Sequence, residues 1–286
     1  MLDILRHAFV QNAFLAGALV AIFSGFIGYF VVLRGQAFAC EALSHVGFAG
    51  ATGAALVGAS SLTGIFIFTI IAALGMGALG DRLRGRDLEV GMVLSFILGL
   101  GILFVSIYTR SATGVVNILF GSILSVTHTD VLVTLISGLL TMVVLVIVFR
   151  PLLFASIQPE VAQTRGVPVR ALSMIFLVLL GLGVSEAVKV VGVLLVFALL
   201  VVPAAAAEHL THRPLLAILL SILFGLLSTL GGLILAFIGR WPASFYIVSL
   251  TSLFYFVSLG IDWIRVPHRY REMPHPSREV LPPSRG

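Results

Sequence analysis

Charged positions in this chain are gathered between long apolar blocks. Twenty residues without a charge separate Glu89 from Arg110, and 19 separate Asp130 from Arg150. Another 26 lie between Arg213 and Arg240, and 21 between Arg240 and Asp262. A helix of roughly 20 mostly apolar residues is long enough to cross the hydrocarbon core of a bilayer. Strands of a membrane barrel would alternate apolar and polar side chains over ~10-residue segments, and 131–149 and 215–238 do not alternate. The pattern predicts spans at 13–33, 37–58, 62–80, 90–108, 131–149, 171–183, 190–207, 215–238 and 244–263. The sixth is short, and 184–189 reads as a tight polar break before the seventh. The uncharged stretch 111–127 carries Gly114, Asn117 and Gly121, and reads as a partly embedded re-entrant or surface segment. The expected fold class is all-α, a polytopic transmembrane bundle of about nine spans, with eight as the other count.

Composition agrees with this reading. Of 286 residues, 59% are hydrophobic and only 10% charged, and the mean hydropathy is +1.16. That is too few charges to cover the surface of a water-soluble domain. Charge then supplies the orientation. With the N-terminus outside and the nine spans alternating, only Arg6, Arg110, Lys189 and Arg240 fall outside, and the other 13 of 17 basic residues fall inside. The positive-inside rule expects such an asymmetry. Residues 1–263 form the transmembrane domain in this reading, and 264–286 a disordered cytoplasmic tail, since five prolines and mixed charges leave no apolar periodicity there. The net charge of +5 is explained by arginines at helix ends meeting anionic lipid, so no nucleic-acid partner is expected. The single cysteine, Cys40, excludes an intrachain disulfide or a thiolate zinc knuckle. The N-terminal run shows no basic leader or cleavage site, so no removed signal peptide is expected.

Candidate chemistry is sparse. The one lysine, Lys189, follows Val188, so no GxxxxGK[ST] phosphate loop exists in this sequence. Neither HExxH nor GxSxG occurs, and an enzyme is not expected. ATP-driven work would require another subunit. Within the inside loop 154–170, Pro159 suits the first turn of a short surface helix, Glu160 its positive end and Gly166 its stop. Such a helix is a handle for a soluble partner. The start of the second span reads Ala39-Cys40-Glu41-Ala42-Leu43-Ser44-His45. Four residues of helix advance ~6 Å and return to nearly the same face, so Glu41 and His45 stack, with Cys40 and Ser44 as a neighbouring stripe. Oxygen and nitrogen donors on one face suit Zn²⁺ or Mn²⁺, and ionisable groups inside spans usually face the bundle interior or a water-filled path. The spacing equally fits a buried Glu–His hydrogen bond that pins helices together. Glu186 and Lys189 are expected to pair with each other. His128 and Asp130 read as the polar start of the fifth span, and Glu208, His209 and His212 as a cluster past the seventh.

Gly28-Tyr-Phe-Val-Val-Leu-Arg34 followed by Glu41-Ala-Leu-Ser-His45 resembles the opening motif of the zinc/manganese/iron permeases of bacterial ABC importers. Leu119-Phe-Gly121 is similar to their LFG element, and Pro159-Glu-Val-Ala followed by Gly166 to the loop that contacts the ATPase. The run from Gly192 to Pro203-Ala-Ala-Ala-Ala207 resembles a further signature, and the likeness extends from about residue 10 to 263. Two departures stand out. Glu41 occupies a position where the family usually has Asp, and Glu208-His209 a position where a less charged pair is common.

The resemblance implies a type II ABC importer permease in a bacterial plasma membrane. It would work as a homodimer with two cytoplasmic ATPases and an extracytoplasmic metal-binding protein. Glu41, His45, Cys40 and Ser44 would be the metal-site candidates, and Pro159, Glu160, Ala162 and Gly166 the ATPase-coupling residues. Arg34, Gly192 and Pro203 would be structural. The metal, zinc or manganese, would be cargo, with no cofactor held permanently. The alternative is a secondary metal transporter or channel acting without an ATPase.

Overall fold

The computed structural model describes residues 8–79, 86–107, 121, 123, 126–239 and 241–265. Its helices are α1 (Ala8–Leu33), α2 (Ala37–Leu56), α3 (Ser61–Leu79), α4 (Arg86–Ile107), α5 (His128–Ile157), α6 (Pro159–Thr164), α7 (Val169–Val191), α8 (Val193–Leu200), α9 (Val202–Leu210), α10 (Pro214–Ile238) and α11 (Ala243–Arg265). Among the described residues there is no strand. Among the described residues, eight stretches are long and apolar enough to span a membrane: α1, α3, α4, α5, α7, α8 with α9, α10 and α11. Helix α2 has the length, 20 residues, but is diluted by Gly, Ala, Glu41 and His45. Thirteen of its residues are buried, so most of its surface meets protein rather than lipid, and small side chains let neighbouring helices approach closely. With α2 counted, nine helical stretches of membrane length lie among the described residues. The segment 111–127 lies largely outside the described residues, as do Leu119 and the tail beyond Arg265.

One expected boundary is corrected. Residues 184–189 are not a break, because α7 runs unbroken through them. The Ser185 hydroxyl of this stretch is satisfied without breaking the helix: it donates to the Gly181 carbonyl (2.7 Å) and meets the Thr69 hydroxyl of α3 at 2.6 Å. The chain turns instead at Gly192, whose φ of +87° is open to glycine and costly for other residues. Past it, α8 and α9 form one crossing broken at Val201. Pro203, in the first turn of α9, has no N–H to continue the ladder across that point.

Helix α1 is central, with 72% of its apolar span buried, and it packs on α5, α7, α8, α9 and α10. Helices α2, α3 and α4 pack together on one flank, and α9, α10 and α11 on the other. Phe30 of α1, fully buried, meets Phe149 of α5 at 5.6 Å and Phe176 of α7 at 6.1 Å. Between membrane helices such packing is held by van der Waals contact rather than by removal from water.

Side-chain ties fix which ends lie together. At one end Arg34 reaches α5 and α7, and His209 of α9 meets Asp262 of α11. At the other, the Asn12 amide donates to the Val126 carbonyl, and Lys189 pairs with Asp130 at 3.4 Å. The first end carries the turn of α6, and it is the end that the basic-residue asymmetry predicts to face the cytoplasm.

Candidate metal path and docking helix

Helix α2 starts from a hydrogen-bonded turn. The Gln36 N–H donates to the Val31 carbonyl at 2.8 Å, and the Cys40 N–H to the Gln36 carbonyl at 3.1 Å. About one turn into α2, Glu41 Oε1 lies 3.2 Å from Nε2 of His45, one turn further on. The two side chains are 24% and 36% exposed. Phe38, 39% exposed, continues the same open stripe. The neighbouring stripe turns the other way. Cys40 and Ser44 are both fully buried, and the Ser44 hydroxyl donates to the Cys40 carbonyl at 3.0 Å. Thus Glu41 and His45 are brought together on an open face, while Cys40 and Ser44 belong to the packed interior. A carboxylate and an imidazole on an open face of a membrane-length helix are too polar to meet lipid tails. That face needs water or another polar surface.

The segment expected to dock a partner forms a short helix. Pro159 opens α6, Glu160 stands in its first turn, and both are exposed. Ala162 is fully buried and anchors the helix to the body of the protein. Behind it, the Gly166 N–H donates to the Gln163 carbonyl at 3.0 Å and the Val167 N–H to the Ala162 carbonyl at 3.0 Å. Gly166 takes φ +79°, the left-handed stop expected of it. Val161 and Ile157 present apolar side chains to the exterior beside this turn. The sequence pattern gave no signal for them, since an exposed valine is unremarkable outside a known surface.

Arg34 is the inner-end residue whose contacts the sequence did not disclose. Its Nη1 donates to the Ser156 hydroxyl at 3.0 Å and its Nη2 to the Ser173 hydroxyl at 2.6 Å. The guanidinium carbon stands 5.4 Å from the centre of the Phe176 ring, within cation–π range.

The remaining polar groups sort into separate places. Glu186 and Lys189 do not pair: Lys189 goes to Asp130, while Glu186 is 3% exposed and its Oε1 has no hydrogen-bond partner among the described residues. Asp130 also closes a capping box with Thr127, accepting from its N–H at 3.0 Å and returning its own N–H to the hydroxyl at 3.2 Å. That is the polar helix start the sequence indicated. Glu208, His209, His212 and Asp262 line a cleft of about 400 Å³ with Tyr29 at the inner end. The His209–Asp262 distance is 3.1 Å. Among the described residues, no three His, Cys, Asp or Glu side chains converge to hold an ion.

Comparison with known proteins follows the same lines. Residues 6–262 match the model of the ABC 3 transport family. The manganese transport system membrane protein MntC of Halalkalibacterium halodurans is 34% identical over 232 residues, covering 81% of this chain and 80% of the relative. The high-affinity zinc uptake system membrane protein ZnuB of Haemophilus influenzae is 27% identical over 248 residues, covering 86% and 95%. Among solved structures, PsaBC from Streptococcus pneumoniae in complex with Fab superposes with a TM-score of 0.81 at 30% identity, covering 90% of this chain and 94% of that one.

Proposed function

Because this chain belongs to the ABC 3 transport family, as a membrane permease subunit of an ABC importer, we propose that it forms the path for a divalent manganese or zinc ion, with Glu41 and His45 as transient ligands. The observation that carries this is the Glu41–His45 pair itself, 3.2 Å apart on an open face of α2. A mixed carboxylate–imidazole donor set is serviceable for Mn²⁺ and Zn²⁺ alike. Two ligands hold an ion weakly, which suits a site that must release its cargo. A second copy, placing its own α2 face opposite, would raise the donor number to four and shield both pairs from lipid. We therefore read the working unit as a homodimer.

The energy comes from elsewhere in this reading. A cytoplasmic ATPase docks on α6, with Pro159, Glu160 and Val161 outward and Ala162 as the buried pivot. An extracytoplasmic metal-binding protein delivers the ion to the end that carries Lys189. ATP-driven closure then moves the inner ends of α5 and α7, and the path changes the side to which it opens.

The test is uptake of Mn²⁺ and Zn²⁺ by proteoliposomes holding the permease with its ATPase and binding protein. Uptake should require ATP, and the single Glu41→Gln and His45→Gln variants should lose it while still assembling. Undiminished uptake by both variants would remove the metal-ligand assignment.

A further inference from the structure

Helix α6 is short and lies at the periphery, whereas the Glu41–His45 pair stands on a different helix. Motion at the first has to reach the second through some material link. Helices α5 and α2 share no extensive packing, while α6 packs on α5 and α7, and α7 packs on α2 in turn. At the inner end, α1 ties both flanks of α6 to the start of α2. Ser156 lies in the last turn of α5, just before α6 begins at Pro159, and Ser173 lies near the start of α7, just after α6 ends. The two arms of the Arg34 guanidinium hold these two serines at 3.0 and 2.6 Å. Ser156 is fixed in turn, its hydroxyl donating to the Leu152 carbonyl at 2.6 Å. On the other side, Arg34 runs into the tight α1–α2 turn, where the Gly35 and Gln36 N–H groups donate back to Val32 and Val31. Glu41 follows in the second turn of α2. A planar fork fixed at both tips transmits displacement with little loss, unlike a flexible ammonium that makes one adjustable contact.

We infer that Arg34 is the positioning residue through which movement of α6 reaches α2. This rests on the reading of α6 as the ATPase dock. The guanidinium keeps the flanks of α6 and the base of the ligand helix in step, so that the Glu41–His45 face reorients when the dock moves. An inert staple would also stabilise this end of the bundle, and the two roles differ in one respect. A staple is needed equally with and without nucleotide, whereas a link is read in the difference between those states.

The experiment places a thiol at Phe38, on the open stripe beside Glu41, and follows its reaction with a maleimide in the permease–ATPase complex, with and without ATP plus vanadate. The chain without the Phe38→Cys change is the blank, since Cys40 is fully buried. In the parent complex nucleotide should change the labelling rate several-fold. Arg34→Lys and Arg34→Gln should abolish that change, with the ATPase still bound and hydrolysing. The double variant Ser156→Ala/Ser173→Ala, which removes both tips, should do the same. A nucleotide response preserved in the Arg34 variants would overturn the inference, as would its absence from the parent. Loss of ATPase binding in the variants would also overturn it, reducing Arg34 to a support for the dock. The labelling needs no metal. A complex whose thiol responds through Arg34 yet imports neither Mn²⁺ nor Zn²⁺ would keep this inference and strike the metal reading alone.

Discussion

Replacing Glu41 by Gln separates a ligand from a packing group, because the two roles predict different balances of stability and transport. In a buried pair, removing one partner strands the other, at a cost of about 1–3 kcal/mol. Glu41 and His45 are not buried in the protomer: they are 36% and 24% exposed, four residues apart on one helix. Pairs of this kind on an accessible helix face contribute only about 0.3–0.5 kcal/mol. Glu41→Gln and His45→Gln should therefore shift the thermal midpoint of the detergent-solubilised protein by no more than about 2 °C, given the 2–4 °C per kcal/mol typical of chains of about 150–250 residues. Uptake should nevertheless be abolished. Glu41→Asp keeps the carboxylate but shortens its reach toward His45, and should retain partial uptake. The refuting result is the reverse pattern. A Glu41→Gln protein that melts far lower while still importing metal, or a well-folded Glu41→Leu/His45→Leu protein that imports it, would show that the pair only packs.

Further expectations follow from other parts of the bundle. A Cβ on Gly28 would fall on the Leu200 carbonyl oxygen, an obstacle that cannot rotate away, so Gly28→Ala should destabilise the protein by about 1–3 kcal/mol; an unchanged melting temperature would contradict the α1–α8 packing. Gly166→Val meets open space but a φ of +79°, so its cost of about 1–2 kcal/mol should fall on the end of α6, weakening ATPase co-purification while the membrane fold persists; normal association and transport would remove the docking assignment. Single cysteines at Gln163, on exposed α6, and at Trp241, between α10 and α11, should react with an impermeant reagent from opposite sides of the membrane, and labelling from the same side would refute the topology. Glu186→Gln keeps the shape of a buried side chain while removing the need to accommodate a charge, so its melting temperature should hold or rise; a clear fall would reveal a charged partner for Glu186.

What the sequence disclosed, and what it withheld, divides by distance along the chain. Arg213, Arg240 and Asp262 bracket their apolar blocks, so spans read at 215–238 and 244–263 became Pro214–Ile238 and Ala243–Arg265. The shared face of Glu41 and His45 follows from helical period alone, and the Pro159–Gly166 turn from its start and stop residues. The misreading at 184–189 came from treating Glu186 and Lys189 as one local polar cluster. They lie on one helix, but Lys189 is claimed by Asp130 on α5, while Glu186 is enclosed by the bundle. The one-residue rotation that sends Cys40 and Ser44 into the core was likewise invisible, because which stripe faces inward depends on where α3 and α7 pack.

The ties that remained hidden share a physical character. Arg34 reaches serines 122 and 139 residues away, His209 reaches Asp262 across 53 residues, and Asn12 reaches the Val126 carbonyl across 114. No local pattern encodes such partners, since any of several serines would look alike in sequence. They cluster at the two ends of the bundle, where the chain leaves the hydrocarbon and charged groups are cheapest to keep. They are also unequal in kind. The outer Lys189–Asp130 pair is partly exposed at 3.4 Å, and pairs of that kind contribute roughly 0–1 kcal/mol. Arg34 instead makes two charge-assisted bonds of 3.0 and 2.6 Å and covers an aromatic face, and each such bond contributes about 1.5–3 kcal/mol. With α6 read as the ATPase dock, the stronger tie stands at the end of the bundle where that dock sits.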